Sequence, residues 1–345
     1  MTHKRIGFCC KWLDEPRQMD GLKPKDDALQ YNNRTTTVAW LNRQPRPVAE
    51  QRLWEIMEHN TDATLKLVKR VGSMAGGLRM VRLSSDMFPV YTEPTYGYFY
   101  HLPDVQSEIE RRCRLIGEAA REFNVRVSFH PGQFCVLASD NDTIVANSIR
   151  EFEYHTDLAR WMGFGNDFHD HGFKINVHIS GRRGPDGIRS IWNSLSSEAR
   201  NLITIENEEN SYGLDDTLQL ADIIPTVFDV HHHWVKTGEY ISPNDDKIKR
   251  VLDSWRGVRP TMHYSVSSES ILVGADDSVR PTMTALLESG HKKQKLRAHS
   301  DFMWNQHAND WALGFLDGFD IMVEAKGKNL ASFALADRAK QLEIL

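Results

Sequence analysis

The most constraining feature of this chain is a series of eight short apolar runs, rich in β-branched residues and separated by stretches of helical periodicity. The runs occupy residues 5–10, 78–83, 125–129, 174–179, 202–205, 226–230, 261–264 and 319–323. Strands that alternate with helices in this way lie parallel and are joined by helical crossovers. We therefore predict an α/β fold, a (β/α)8 TIM barrel, with a doubly wound open sheet as the structural alternative.

The length of the chain fits one barrel domain. It has 345 residues and no obvious linker, which is usual for an α/β barrel with inserted loops. We predict a single catalytic domain over 1–345, with an inserted loop at about 265–298. No apolar run approaches the roughly 20 residues that span a bilayer, and the N-terminal apolar stretch is too short for a signal peptide. We therefore expect a cytoplasmic protein with no membrane partner and no obligate protein partner.

Charge and cysteine content constrain the function less. The formal net charge is −5, whereas a protein that coats DNA without regard to sequence is usually basic. Because bound cations can outweigh an acidic pocket, the charge neither supports nor excludes a nucleic-acid substrate. The four cysteines form no CxxC pair, so neither a zinc ribbon nor a thioredoxin-type redox site is indicated.

Six consecutive runs, from the third to the eighth, each end in a histidine or an acidic residue. In a barrel these ends form one ring, on the face where active sites are built. A single residue of this kind is often only hydrogen-bonded, but chance is a poor account of six in series. The six residues, with one histidine just beyond the sixth strand, are His130, His178, Glu206, Asp229, His263 and Glu324, and then His232.

The chemistry of these side chains indicates a metal centre. Imidazole and carboxylate groups without a thiolate suit Mn²⁺, Zn²⁺ or Fe²⁺. The set exceeds the needs of one ion, because zinc takes about four ligands and one carboxylate can bridge two ions. Two or three neighbouring ions would stabilise the attacking and leaving oxygens of a phosphodiester, so a hydrolytic function is plausible from the ligand set alone.

The chain resembles the UV damage endonucleases in six motifs that occur in the same order: FHPGQF, ITIENEE, DVHHH, MHYS, HSDF and VEAKGK. The resemblance implies a TIM-barrel enzyme, related in design to endonuclease IV, that acts in DNA repair. Such an enzyme nicks duplex DNA on the 5′ side of UV photoproducts or other distorting lesions. The resemblance also implies a cofactor of two to three divalent ions, with Mn²⁺ expected first and Zn²⁺ or Fe²⁺ as alternatives.

Transferred residue by residue, the resemblance implies eight metal ligands: His130, His178, Glu206, Asp229, His232, His263, His299 and Glu324. The first three would hold one ion, and Glu206 would bridge to a second ion held with Asp229, His263 and Glu324. His232 and His299 would hold a third ion, with Asp301 as a further ligand. Glu206, Glu324 and His263 would form the catalytic centre. Strand alternation leaves open whether His231, His232 or His233 faces the metal.

The same resemblance implies DNA contacts around the ions. Gln133 matches the glutamine that inserts at the lesion, and Phe134 holds an aromatic position that can stack on unpaired bases. A core aromatic in a loop is an equal alternative for Phe134. Basic residues on the same face are expected to contact DNA, chiefly its phosphates, namely Lys326, Lys328, Arg182 and Arg183.

Residues of the expected site also depart from the family pattern. Thr261 stands where many relatives carry a modified lysine that touches the metals, which leaves the number of ions open. Phe8 and Trp12 stand where the family offers a tyrosine and an asparagine to probe the lesion, so we expect them at the DNA with an altered preference. Two other functions stay open: a barrel metalloenzyme of different chemistry, such as an iron-dependent oxidase or an isomerase, and a damage-binding relative with altered catalysis.

Overall fold

The computed structural model describes residues 4–14, 26–269 and 278–345. In this part of the chain, eight parallel strands form one sheet in the order β6-β5-β4-β3-β2-β1-β8-β7. Each of the eight predicted runs overlaps one of these strands. The strands are β1 (Ile6–Cys9), β2 (Met80–Arg82), β3 (Arg126–Phe129), β4 (Lys174–His178), β5 (Ile203–Glu206), β6 (Thr226–Val227), β7 (Thr261–Tyr264) and β8 (Asp320–Val323).

The two ends of this sheet meet, which closes the barrel. Asp229, just beyond β6, forms a parallel bridge with His263 of β7. The backbone N–H of His263 also donates to the carbonyl oxygen of Phe228 at 3.0 Å. The prediction of a TIM barrel is therefore confirmed, and the open doubly wound sheet is wrong because β6 and β7 would then be free edges.

Helices follow the strands and surround the barrel. In the described residues they are α1 (Asp26–Leu29), α2 (Val38–Leu41), α3 (Arg46–Gly72), α4 (Pro103–Glu122), α5 (Asp142–Trp161), α6 (Gly184–Ile191), α7 (Ser197–Leu202), α8 (Leu214–Thr217), α9 (Val230–Thr237), α10 (Asp246–Ser254), α11 (Met283–Glu288), α12 (Lys293–Leu296), α13 (Gln306–Leu313) and α14 (Lys328–Gln341). None of the helices described is long and apolar enough to cross a membrane.

Helix α4 shows how this outer layer is held on the barrel. Its buried side chains recur every three or four residues, which places them on one face of the helix; they include Ile109, Cys113, Ile116 and Ala120. Gly117 lies on the same face, where a Cβ atom would sit 1.8 Å from the carbonyl oxygen of Met162. Only glycine therefore allows α4 to approach the end of α5 this closely.

The predicted insertion at 265–298 packs partly on the barrel. It contains α11 and α12, and residues 270–277 lie outside the described part of the chain. Leu296 at the end of α12 is buried against Trp234 and Val235 of α9. This contact holds the second half of the insertion beside the C-terminal end of β6.

The N-terminal end of the barrel buries a carboxylate within a basic cluster, which we call the basal cluster: Asp320, Arg5, Arg126 and Arg259. Oδ1 of Asp320 accepts from Nε of Arg259 at 2.7 Å and from the backbone N–H of Arg5 at 3.0 Å. Oδ2 accepts from Nη1 of Arg126 at 2.9 Å. Both oxygens of this fully buried side chain are thus hydrogen-bonded.

Candidate metal centre

Two groups of side chains at the C-terminal end of the barrel could each hold a metal ion. In the first group, one atom each from His130, His178 and Glu206 lie within 4.8 Å of one another. In the second group, the same holds for Glu206, Asp229 and His263. Glu206 belongs to both groups, so its carboxylate lies where a ligand bridging two ions would stand.

Glu206 ends β5 and its side chain is completely buried. Its Oε1 lies 3.0 Å from Nδ1 of His263, and its Oε2 lies 3.4 Å from Nε2 of His130. Asn176 of β4 donates to Oε2 and is itself fixed by the hydroxyl of Thr204 at 2.9 Å. Burial alone would raise the pKa of Glu206, but the neighbouring histidines outweigh it and hold this pKa well below its usual range.

His130 is oriented so that one ring nitrogen faces the centre. Its Nδ1 lies 3.0 Å from the carbonyl oxygen of Pro131, to which it donates in the neutral ring. This leaves the Nε2 lone pair directed towards Glu206. Burial lowers the pKa of His130 to about 3, so the ring is neutral and able to bind a cation at neutral pH.

Asp229 is the N-cap of α9 and is held in place by its neighbours. Its Oδ1 accepts from the backbone N–H of His232 at 2.7 Å. The side chain of Asn207 accepts from the backbone N–H of Asp229 and donates to its carbonyl, both at 2.9 Å. Burial raises the pKa of Asp229 well above its ordinary value, because a charged carboxylate here lacks water.

Among the candidate ligands, two buried atoms receive no hydrogen bond from the described residues: Oδ2 of Asp229 and Nδ1 of His178. A buried acceptor without a partner costs free energy, and a cation placed between such atoms removes that cost. The donor set consists of imidazole and carboxylate groups, which divalent transition metals bind. The residues present therefore fit a centre of divalent ions.

The structure distinguishes the three consecutive histidines of α9. Nδ1 of His232 lies 3.7 Å from Oε1 of Glu206, so His232 is the one that reaches the shared carboxylate. His231 instead stacks on Trp234 with ring centroids 5.8 Å apart. Nε2 of His233 lies 3.7 Å from Oε2 of Glu239, away from the centre. Burial lowers the pKa of His232, but the charges of nearby carboxylates, Asp229 above all, outweigh burial and raise it to about 9.

Two basic side chains beneath the centre were missed from the sequence. Nζ of Lys174 lies 3.5 Å from Nε2 of His263, and burial lowers the pKa of Lys174 to about 7. Arg82 of β2 forms an ion pair with Glu324, whose Oε1 lies 3.3 Å from Nδ1 of His263. Strand alternation could have revealed Lys174, because residues 174, 176 and 178 share the interior side of β4.

The remaining expected ligands lie near this centre without completing a third group of three. His299 forms a bridge with Ser267, and its ring centroid lies 6.0 Å from that of His231. Asp301 pairs with Lys326 at 2.9 Å. Among the described residues, neither His299 nor Asp301 joins two other ligands within 4.8 Å.

The expected DNA-contacting residues of the β3 loop are exposed beside the metal centre. Phe134 is 85% exposed, and Gln133 next to it is also exposed. Phe134 lines a cavity of about 720 Å³ together with His130 and Arg150. An aromatic ring in this position is available for contact, so the alternative of a core aromatic is wrong for Phe134.

The expected basic contacts are distributed around the same end of the barrel. Arg182 and Arg183 are exposed but pair with aspartates just before and at the start of α5, Asp140 at 3.2 Å and Asp142 at 2.9 Å. Lys328 begins α14 with a φ of 48°, a left-handed conformation that is uncommon for residues other than glycine. Strained backbone of this kind is frequent at binding sites, which agrees with the position of Lys328 four residues after Glu324.

The expectation that Phe8 and Trp12 contact DNA is wrong. Phe8 is 0% exposed and Trp12 only 5% exposed. Both rings pack edge-on against Phe333 of α14, with centroids 6.4 Å and 5.9 Å away. After β1 the chain turns at Cys10, whose φ of 67° is left-handed, and Cys10 and Lys11 line the 720 Å³ cavity in place of the two aromatic residues.

Comparison with known proteins agrees with this geometry. A family model described as UV-endonuclease UvdE matches residues 21–344. The UV DNA damage endonuclease of Bacillus cereus strain B4264 is 26% identical over 314 residues, which cover 88% of this chain and 86% of that protein. The UV-damage endonuclease of Schizosaccharomyces pombe is 28% identical over 299 residues, 83% of this chain and 45% of that protein.

The solved structure of SacUVDE has the same fold as this chain. Its TM-score is 0.73 at 22% sequence identity, and the match covers 99% of this chain and 100% of that one. The family match extends over nearly the whole barrel, including every strand end that carries a candidate ligand. The chain therefore belongs to the UV-endonuclease UvdE family, and it is an endonuclease.

Proposed function

We propose that this endonuclease acts in DNA repair and nicks duplex DNA on the 5′ side of UV photoproducts or other distorting lesions, using divalent ions. The observation that carries the proposal is the shared, fully buried Glu206 between two ligand groups. Oδ2 of Asp229 and Nδ1 of His178, which receive no hydrogen bond from the part of the chain that is described, support the presence of cations there. When bound, such ions supply positive charge that stabilises the attacking and leaving oxygens of a phosphodiester.

The residues of the chain prepare this site before substrate arrives. Asn176 and Asn207 hold the carboxylates of Glu206 and the backbone of Asp229, so the ligands keep their positions. Cys9 lies 3.9 Å from Oε1 of Glu324, but burial raises the pKa of its thiol and keeps it protonated. A centre without thiolate suits Mn²⁺, Zn²⁺ or Fe²⁺ better than metals that select sulfur, and of these three we propose Mn²⁺ as the working ion.

Lesion recognition is assigned to the exposed β3 loop. Gln133 and Phe134 lie beside His130, so a base pair opened at the lesion would present its unpaired bases to Phe134 next to the ions. Stacking on an aromatic ring is worth about 1–3 kcal/mol per base and requires no particular sequence. Because unstacking is cheapest where pairing is already weak, this arrangement selects distorted duplex. Lys326, Lys328, Arg182 and Arg183 would then contact phosphates along the strand.

The test is cleavage of end-labelled duplex that carries one defined UV photoproduct, with Mn²⁺, with Mg²⁺ and with a chelator. We expect nicking immediately 5′ to the photoproduct with Mn²⁺, no nicking with chelator, and none on the undamaged duplex. Cutting that persists in chelator would contradict the role of the ions. Intact photoproduct duplex with ions bound to the protein would contradict the lesion specificity and favour barrel chemistry of another kind.

A further inference from the structure

The loop after β5 carries a second carboxylate that faces the metal centre, Glu209. Its two oxygens have different surroundings. Oε1 accepts from Nδ2 of Asn210 at 2.9 Å and lies 3.3 Å from Nη1 of Arg297. Oε2 receives no hydrogen bond from the residues described and lies 3.7 Å from Nε2 of His232. The side chain of Glu209 is 12% exposed, so protein covers most of its surface.

His232 offers a ring nitrogen to the same space. Its Nδ1 lies 3.0 Å from the carbonyl oxygen of Asn207, which accepts from it, and this leaves Nε2 as the nitrogen that can bind a cation. The side chain is 10% exposed, and within the described ranges Nε2 makes no hydrogen bond. Two ligand atoms at about 2.0–2.2 Å from one ion stand roughly 3–4 Å apart, and the distance from Nε2 to Oε2 falls in that interval.

We propose that Glu209 is a metal ligand which, together with His232, holds a divalent cation in addition to the two ions around Glu206. This inference rests on the proposed function, because it assumes that the two groups around Glu206 are loaded. Arg297 and Asn210 occupy one oxygen of Glu209 and thereby direct the other towards the ion. Asp301, which the sequence suggested for this ion, has Oδ1 2.9 Å from Nζ of Lys326.

The test compares three variants of the full chain by their Mn²⁺ content after desalting and by calorimetric titration with Mn²⁺. Glu209→Gln removes the charge and keeps the volume. Glu239→Gln is the matched control, because Glu239 stands at the same 3.7 Å from Nε2 of His233 but outside the centre. Asp301→Asn tests the alternative ligand. Thermal unfolding of each variant without metal identifies any loss of fold.

We expect three ions per chain in the wild type, in Glu239→Gln and in Asp301→Asn. In Glu209→Gln we expect two ions, or a third that binds at least about tenfold more weakly. An unchanged ion count and affinity in Glu209→Gln would overturn the proposal and leave Glu209 as a simple ion-pair partner of protonated His232. Loss of an ion in Asp301→Asn alone would overturn it as well. A wild-type chain that binds no Mn²⁺ would instead contradict the proposed function.

Discussion

The two ends of this barrel bury carboxylates in opposite ways. In the basal cluster, both oxygens of Asp320 receive hydrogen bonds, and three arginines surround a single acidic group. At the C-terminal end, Oδ2 of Asp229 is buried without a donor from the described residues. At the N-terminal end the protein thus neutralises its buried carboxylate with its own arginines. At the C-terminal end it leaves a buried carboxylate oxygen without a donor from the described residues. A satisfied buried charge serves the fold, whereas an unsatisfied one indicates where a ligand belongs.

The two ends also differ in what their basic side chains contact, because those at the C-terminal end do not surround the shared carboxylate. Arg82 pairs with Glu324, and Lys174 approaches His263 rather than a carboxylate. Neither of them reaches Asp229 or Glu206 with an ion pair among the residues described. Arg82 and Lys174 therefore hold Glu324 and His263 in place, while the carboxylate of Glu206 stays available to metal ions.

The largest expected effect comes from a change at the C-terminal end of the barrel alone. Glu206→Gln removes the negative charge shared by both ligand groups, so we expect cleavage of photoproduct duplex to fall by at least about 1,000-fold. DNA binding should be largely spared, because the exposed basic residues and Phe134 are untouched. The measurements are nicking rates and binding of the same labelled duplex. Retained cleavage would mean that Glu206 does not hold the essential ions.

The next largest effect comes from a change in the basal cluster alone. Asp320→Ala leaves three arginines beside an emptied site, and loss of one partner from a buried ion pair costs about 3–5 kcal/mol. We expect the free energy of unfolding in urea to fall by that amount, equally with chelator and with saturating Mn²⁺. Glu206→Gln serves as the reference, because it should reduce the additional stability that saturating Mn²⁺ gives relative to chelator. A metal-dependent loss in Asp320→Ala would contradict the separation of the two ends.

The smallest expected effect is the pH dependence of metal affinity at the C-terminal end. The raised pKa of His232, about 9, means that a cation must displace a proton from this ring at neutral pH. Affinity for the ion held by His232 should therefore rise with pH and level off above 9. The expected slope is about tenfold, or 1.4 kcal/mol, per pH unit. Mn²⁺ titrations between pH 6.5 and 8.5 measure it, and His232→Gln, which removes this ligand, should abolish binding of that ion across the whole pH range. A flat profile in the wild type would contradict a protonated His232.

Much of the barrel could be predicted because each strand is visible in the sequence as a local run of apolar residues. Each strand is a short buried run, and parallel strands end together, so the residues that follow β3 to β8 had to converge. The position of Glu206 between the ligand groups agrees with this reasoning. Lys174 could have been found by the same alternation, since it shares a side of β4 with His178.

The rest depends on contacts between distant parts of the chain. Phe8 and Trp12 are covered by Phe333, more than 300 residues away, after a left-handed turn at Cys10 that no local pattern announces. The choice of His232 over its neighbours is set by the N-cap at Asp229, which fixes the rotation of α9. Tertiary packing, rather than the periodicity of the sequence, therefore determines which way these side chains point.

Asn207, which follows β5, fixes two expected ligands that follow β6, Asp229 and His232. Its side chain hydrogen-bonds both the backbone N–H and the carbonyl of Asp229, and its own carbonyl oxygen accepts a hydrogen bond from Nδ1 of His232. The conformational entropy of these ligands is therefore lost when the chain folds, not when an ion binds. A cation would therefore meet ligands that are already in position, and its binding would require its own dehydration and loss of the His232 proton rather than rearrangement of the backbone.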